Sequence, residues 1–181
     1  MAGTLYLVAT PIGIVAVGSA GSPNDGSPGA ASWRLVAGRS WTRSPAQPSL
    51  EAATMTRVAV SGRTIVALGS GPDSAAAWWS TDGLTWTAAG QPVFAVSGSS
   101  IQGLVAGSRG FVAEALIEGQ SDGSWVVAAS ADGGAWTAID APFHGGGPTT
   151  LGGVDRGVGL TVFGDAFTQA AGPMPAAWDV R

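Results

Sequence analysis

Trp78-Trp79-Ser80-Thr81-Asp82-Gly83-Leu84-Thr85-Trp86 returns downstream as Ala128-Ala129-Ser130-Ala131-Asp132-Gly133-Gly134-Ala135-Trp136. A worn copy precedes both, Trp33-Arg34-Leu35-Val36-Ala37-Gly38-Arg39-Ser40-Trp41, with Ala37 where the other two carry Asp. A second anchor keeps the same period. It reads Ile14-Val15-Ala16-Val17-Gly18, Ile65-Val66-Ala67-Leu68-Gly69, Phe111-Val112-Ala113-Glu114-Ala115 and Leu160-Thr161-Val162-Phe163-Gly164, at spacings of 51, 46 and 49 residues. Two anchors on one period of this length mark a repeat architecture.

Each repeat holds four strand-like runs separated by turn residues, and no segment has a helical period. In the second repeat the runs are Arg57–Ser61, Thr64–Gly69, Ala75–Ser80 and Thr85–Ala88. Four short antiparallel strands in about 45–50 residues are the signature of a propeller blade. The expected fold is therefore all-β, a β-propeller of four-stranded antiparallel blades in a single domain, 1–181. About four repeats are expected, near 4–48, 55–94, 101–140 and 151–181, the last incomplete. The fourth has runs near Leu151–Val154, Leu160–Gly164 and Pro175–Val180, and the sequence stops before its copy of the Asp-Gly segment. Leu5–Ala9 takes the first-strand position of the first blade, so it does not supply the missing strand. Either a partial array or a distorted four-bladed ring is expected. A partial array would leave apolar blade faces for self-association or a neighbouring domain.

Between the third and fourth strands, Asp82-Gly83 predicts a two-residue type I′ turn, in which both central residues need φ > 0. That register sets Ser80 opposite Thr85 and Trp79 opposite Trp86, an aromatic cross-strand pair. The Asp carboxylate can accept hydrogen bonds from turn amides.

These residues resemble the Asp-box, or BNR, repeat family, whose motif is S-x-D-x-G-x-T-W. Ser80, Asp82, Thr85 and Trp86 match, as do Ser130, Asp132 and Trp136. Gly83 and Gly133 follow the Asp one residue sooner than in the family, and Ala135 replaces Thr. The repeat style also looks like a group of secreted actinobacterial propeller proteins. The resemblance covers essentially the whole chain. It implies a structural box on the outer blade hairpin, away from the usual ligand face, and an extracytoplasmic location. A metal-binding or catalytic role for Asp82 or Asp132 is the alternative. Sialidases share the box, but they need an arginine clamp and a Tyr nucleophile paired with an acid. No complete set can be assigned here: the one Tyr is Tyr6, on the first predicted strand. The expectation is a sialidase-like propeller without the catalytic set, acting as a non-catalytic module for ligand or protein binding or scaffolding. A glycan-active hydrolase, or its inactive remnant, is the alternative.

Composition narrows the partners. Hydrophobic residues make up 45% of the 181, enough for a sizeable core, and only 11% are charged. The net charge is −4, with no Lys and eight scattered Arg. Nucleic-acid binding would want a basic stripe, so it is not expected. The absence of Cys excludes disulfides and thiolate metal sites. No apolar run reaches the roughly 18 residues of a membrane span, and Met1-Ala2-Gly3-Thr4 shows no basic start of a secretory signal.

Arg63, Arg109 and Arg156 fall in the turn between the first and second strands of successive repeats. They are read either as solvated turn residues or as a shallow anion-binding rim, for a glycan for example. Glu114 stands where other repeats have Val17, Leu68 and Phe163. A carboxyl at an apolar repeat position is either a buried acid with a raised pKa or an exposed strand end. His144, the only His, lies in Phe143-His144-Gly145-Gly146-Gly147, a solvated loop without metal-ligand spacing. Asp25, Asp73, Asp122 and Asp165 recur in the loops between second and third strands, where a weak cation site is conceivable. No catalytic residue, metal or cofactor is expected.

Overall fold

Thr64–Ser70 reads TIVALGS, and its apolar residues are buried on both sides of the strand. A short, continuously apolar strand is what a sheet covered on both faces requires. The computed structural model describes residues 4–21, 28–37, 39–118, 124–140, 152–155, 160–168 and 172–180. Each repeat forms its own antiparallel meander. The first sheet is β1 (Tyr6–Thr10), β2 (Gly13–Gly21), β3 (Pro28–Leu35) and β4 (Trp41–Arg43). The second is β5 (Thr54–Ser61), β6 (Thr64–Ser70), β7 (Ala75–Ser80) and β8 (Thr87–Ala88). The third is β9 (Ser99–Gly107), β10 (Gly110–Ile117), β11 (Ser124–Ser130) and β12 (Thr137–Ala138). The fourth has three strands, β13 (Gly152–Asp155), β14 (Leu160–Thr168) and β15 (Gly172–Val180). A single 3₁₀ turn, Pro48–Leu50, lies between the first two sheets.

Alternation along the second strand of each repeat decides which neighbour a side chain meets. Val15 and Val17 of β2 pack with Ile65 and Ala67 of β6, joining the first sheet to the second. Val66 and Leu68 pack with Phe111, Ala113 and Ala115 of β10, joining the second to the third. Val112 and Val127 pack with Leu160 and Val162, joining the third to the fourth. The sheets thus stack in chain order. Among the described residues, the first sheet does not pack extensively on the fourth. Each end of the stack leaves apolar side chains exposed: Leu7, Ile14 and Trp41 on the first sheet, Val154 and Phe163 on the fourth.

The pairing register confirms that Ile14, Ile65 and Phe111 are equivalent, since they face Leu35, Ser80 and Ser130. The first strands of the second and third sheets, β5 and β9, also share an irregularity. Thr56 is the extra residue between Met55 and Arg57, and Gln102 takes the same place between Ile101 and Gly103. Such bulges leave a residue outside the ladder. Arg57 fills part of this gap. Its guanidinium donates to the Thr56 carbonyl at 2.8 Å and the Gln102 carbonyl at 3.0 Å, and lies 5.6 Å from the Tyr6 ring centroid. One cation therefore ties the first strands of three successive sheets, β1, β5 and β9.

Candidate functional site

The Asp-Gly segments do not form two-residue turns. β7 pairs with β8 as Trp78 with Ala88 and Trp79 with Thr87. Continuing that register sets Ser80, not Trp79, opposite Trp86, and the same pairing is seen between Leu35 and Trp41. The expected Trp79–Trp86 pair is therefore absent, and β8 starts at Thr87 rather than Thr85. The reason is local. Gly83 has φ of 71°, but Asp82 is not in the left-handed region, so the type I′ geometry is not formed.

The side chains of Ser80 and Asp82 organise a wider loop instead. The Ser80 hydroxyl accepts from the Gly83 amide at 2.9 Å and donates to Asp82 Oδ1 at 3.0 Å. The same Oδ1 accepts from the amides of Leu84 and Thr85 at 2.8 and 2.7 Å. In the third repeat, Ser130 accepts from the Gly133 amide at 2.8 Å, and Asp132 accepts from Gly134 and Ala135 at 2.8 and 3.2 Å. Burial pushes the Asp82 carboxyl up, but the Thr85 and Leu84 amides outweigh it and hold it below the usual carboxylate range. The Gly134 and Ala135 amides lower Asp132 likewise.

Each loop is seated on the preceding sheet. A Cβ on Gly83 would meet Val15 Cγ2 at 2.5 Å, and one on Gly133 would meet Val66 Cγ2 at 2.3 Å. Val15 and Val66 are equivalent in register. Beneath the first seat, Ser32 donates to the Gly83 carbonyl at 2.8 Å and accepts from Trp86 Nε1 at 2.8 Å. Arg34 donates to the Asp82 carbonyl at 2.9 Å. Gln47 donates to the Leu84 carbonyl and accepts from the Trp86 amide, both at 2.8 Å. At the second seat Ala77 stands in place of Ser32, and Trp136 Nε1 donates to the Gly133 carbonyl at 3.0 Å instead. Phe94 meets the Trp136 ring edge-on at 5.4 Å. Trp86 and Trp136 are 3% and 6% exposed, whereas Trp41, with no sheet before it, is 44% exposed.

A cleft of about 510 Å³ opens where the next seat falls. It is lined by Val112 and Ala129, the register equivalents of Val66 and Trp79, together with Arg109, Asp132, Thr137 and Leu160. Arg109 and the Asp132 loop thus share one rim. Arg63 is exposed in the β5–β6 turn and does not line this cleft. Arg156, His144, Gly145–Gly147, Asp25 and Asp122 lie outside the described residues. Asp73 is exposed, and among the described residues no group of three or more His, Cys, Asp or Glu could hold a metal ion.

Glu114 is a buried acid and not an exposed strand end: its relative exposure is 0%. It lies on the face of β10 that carries Val112, opposite Val127, against the fourth sheet. Neither carboxyl oxygen has a hydrogen-bond partner among the described residues. Desolvation pushes its pKa up to about 8. Sequence reasoning had no signal for Ser32, Gln47 and Arg57, which contact other repeats from positions outside both anchors.

No family model matches the chain, and no curated protein matches it. No helix among the described residues is long and apolar enough to cross a membrane.

Proposed function

We propose that this chain is a non-catalytic Asp-box β-propeller module that binds or scaffolds a partner. The observation that carries this reading is the use already made of the box residues. Asp82 Oδ1 is bound by two amides and a hydroxyl, and Gly83 is pressed onto Val15. Groups committed in this way order the loop and seat it on the preceding sheet, which is a structural use of the box. The stacked antiparallel sheets supply a rigid frame, with cleft and turns at one rim available to a partner.

A glycan-active hydrolase would draw on Glu114 and the turn arginines. Burial of Glu114 supports its protonated form at neutral pH, as a general acid requires. Its zero exposure argues against contact with a sugar unless the third and fourth sheets separate. A hydrolysis screen on aryl sialosides and other aryl glycosides tests the choice. No Glu114-dependent turnover is expected; turnover abolished by Glu114→Gln in a folded protein overturns the non-catalytic reading.

A further inference from the structure

Among the described residues, two seats are filled by the same kind of loop, and a third carries none. The first seat, Val15, Ser32 and Arg34, holds the 82–86 loop. The second, Val66, Ala77 and Trp79, holds the 132–136 loop. Register places Val112, Val127 and Ala129 at the third. Of the three residues at the Arg34 position, Ala129 is the smallest, which leaves the cleft open.

The fourth sheet presents its edge beside this opening. β15 pairs only with β14 among the described residues, and Leu160 faces Val180 as Phe111 faces Ser130. Val180 therefore occupies the position of Ser80 and Ser130. A strand added along β15 would carry its preceding loop over Val112 and Ala129.

We propose that the cleft between the third and fourth sheets is a receptor for an Asp-Gly-x-x-Trp hairpin, carried by a segment outside residues 1–181, which adds as a strand along β15 and seats its loop on Val112 and Ala129. Edge addition supplies main-chain hydrogen bonds, while the fit of the loop and its Trp to the cleft supplies selectivity. This inference rests on the binding-module reading and narrows it to a polypeptide ligand.

The test uses a fluorescein-labelled peptide with the sequence of residues 132–140, DGGAWTAID, titrated by the full chain and followed by anisotropy. Saturable binding is expected, at least tenfold weaker for the peptide with Ala in place of Trp and for the Ala129→Glu protein. Equal binding of both peptides overturns the proposal. A second arm fuses the same nine residues after Arg181, where tethering raises the effective concentration to roughly millimolar. Its melting temperature should rise by roughly 3–8 °C, and the added Trp should resist acrylamide quenching. An unchanged melting temperature with a freely quenched Trp overturns the receptor. A stable dimer of the chain that excess peptide does not dissociate overturns the choice of an outside segment. Failure of these arms without any glycosidase turnover would remove the receptor and leave the module reading standing.

Discussion

Three glycines separate the effects of backbone strain and close approach. Gly62, Gly83 and Gly133 all have positive φ, at 57°, 71° and 80°. A Cβ at Gly62 meets nothing within 4 Å, whereas at Gly83 and Gly133 it runs into a valine of the preceding sheet. Ala at Gly62 should cost about 1–2 kcal/mol, the left-handed penalty alone. Gly83→Ala and Gly133→Ala should each add about 1–3 kcal/mol of overpacking to that. Urea midpoints of the three variants check the difference; equal losses would mean the loops are not seated. Gly83 and Gly133 were legible as turn glycines, because Asp-Gly is a strong turn signal. Their contact with Val15 and Val66 was not, because it joins residues dozens of positions apart.

At the scale of elements, the loop chemistry predicts an acid-sensitive joint. The folded pKa of Asp82 is depressed below its unfolded value of 3.8. Its stabilising contribution is therefore complete above that value and fades as pH falls through the folded pKa. Asp82→Asn should cost about 1 kcal/mol at pH 7, and the gap to the parent should narrow as pH falls below the unfolded value of 3.8, as read from urea midpoints at neutral and acid pH. The strands themselves were readable: Ala75–Ser80 is β7, and the Thr64–Gly69 run is β6 lengthened by one residue. The final strand of the second repeat was read two residues too early, at Thr85 rather than Thr87, because a dipeptide rule cannot anticipate a serine and an aspartate spending their oxygens on a wider loop. The bulges at Thr56 and Gln102 left no mark on alternation strong enough to read.

For the whole molecule, Glu114 ties stability to pH in the opposite sense. Its folded pKa, raised from 4.5 to about 8, means the folded state keeps a proton that the unfolded chain has lost. Stability attributable to this group is complete below pH 4.5, falls as pH rises, and levels off beyond 8. Glu114→Leu, which installs the residue of the second repeat, should raise the melting temperature by several degrees at pH 8. Near pH 5 the gain should be smaller, and thermal melts at the two pH values decide it. The sequence pointed to Glu114 as an odd residue in an apolar register, but burial depends on the fourth sheet lying against it. The order of the sheets followed from the period alone. Which flanks stay bare did not, because closure depends on curvature accumulated over all repeats.

The seating of each loop on the sheet before it gives the stack a direction. Like roof tiles, the first two units are each pinned by a loop of their successor, whereas the third and fourth carry no such loop among the described residues. Fraying should start at one end and travel backwards. Hydrogen exchange should therefore find β13–β15 opening first and the amides of β6 slowest, with β2 between them; uniform protection across the repeats would contradict a directional lock.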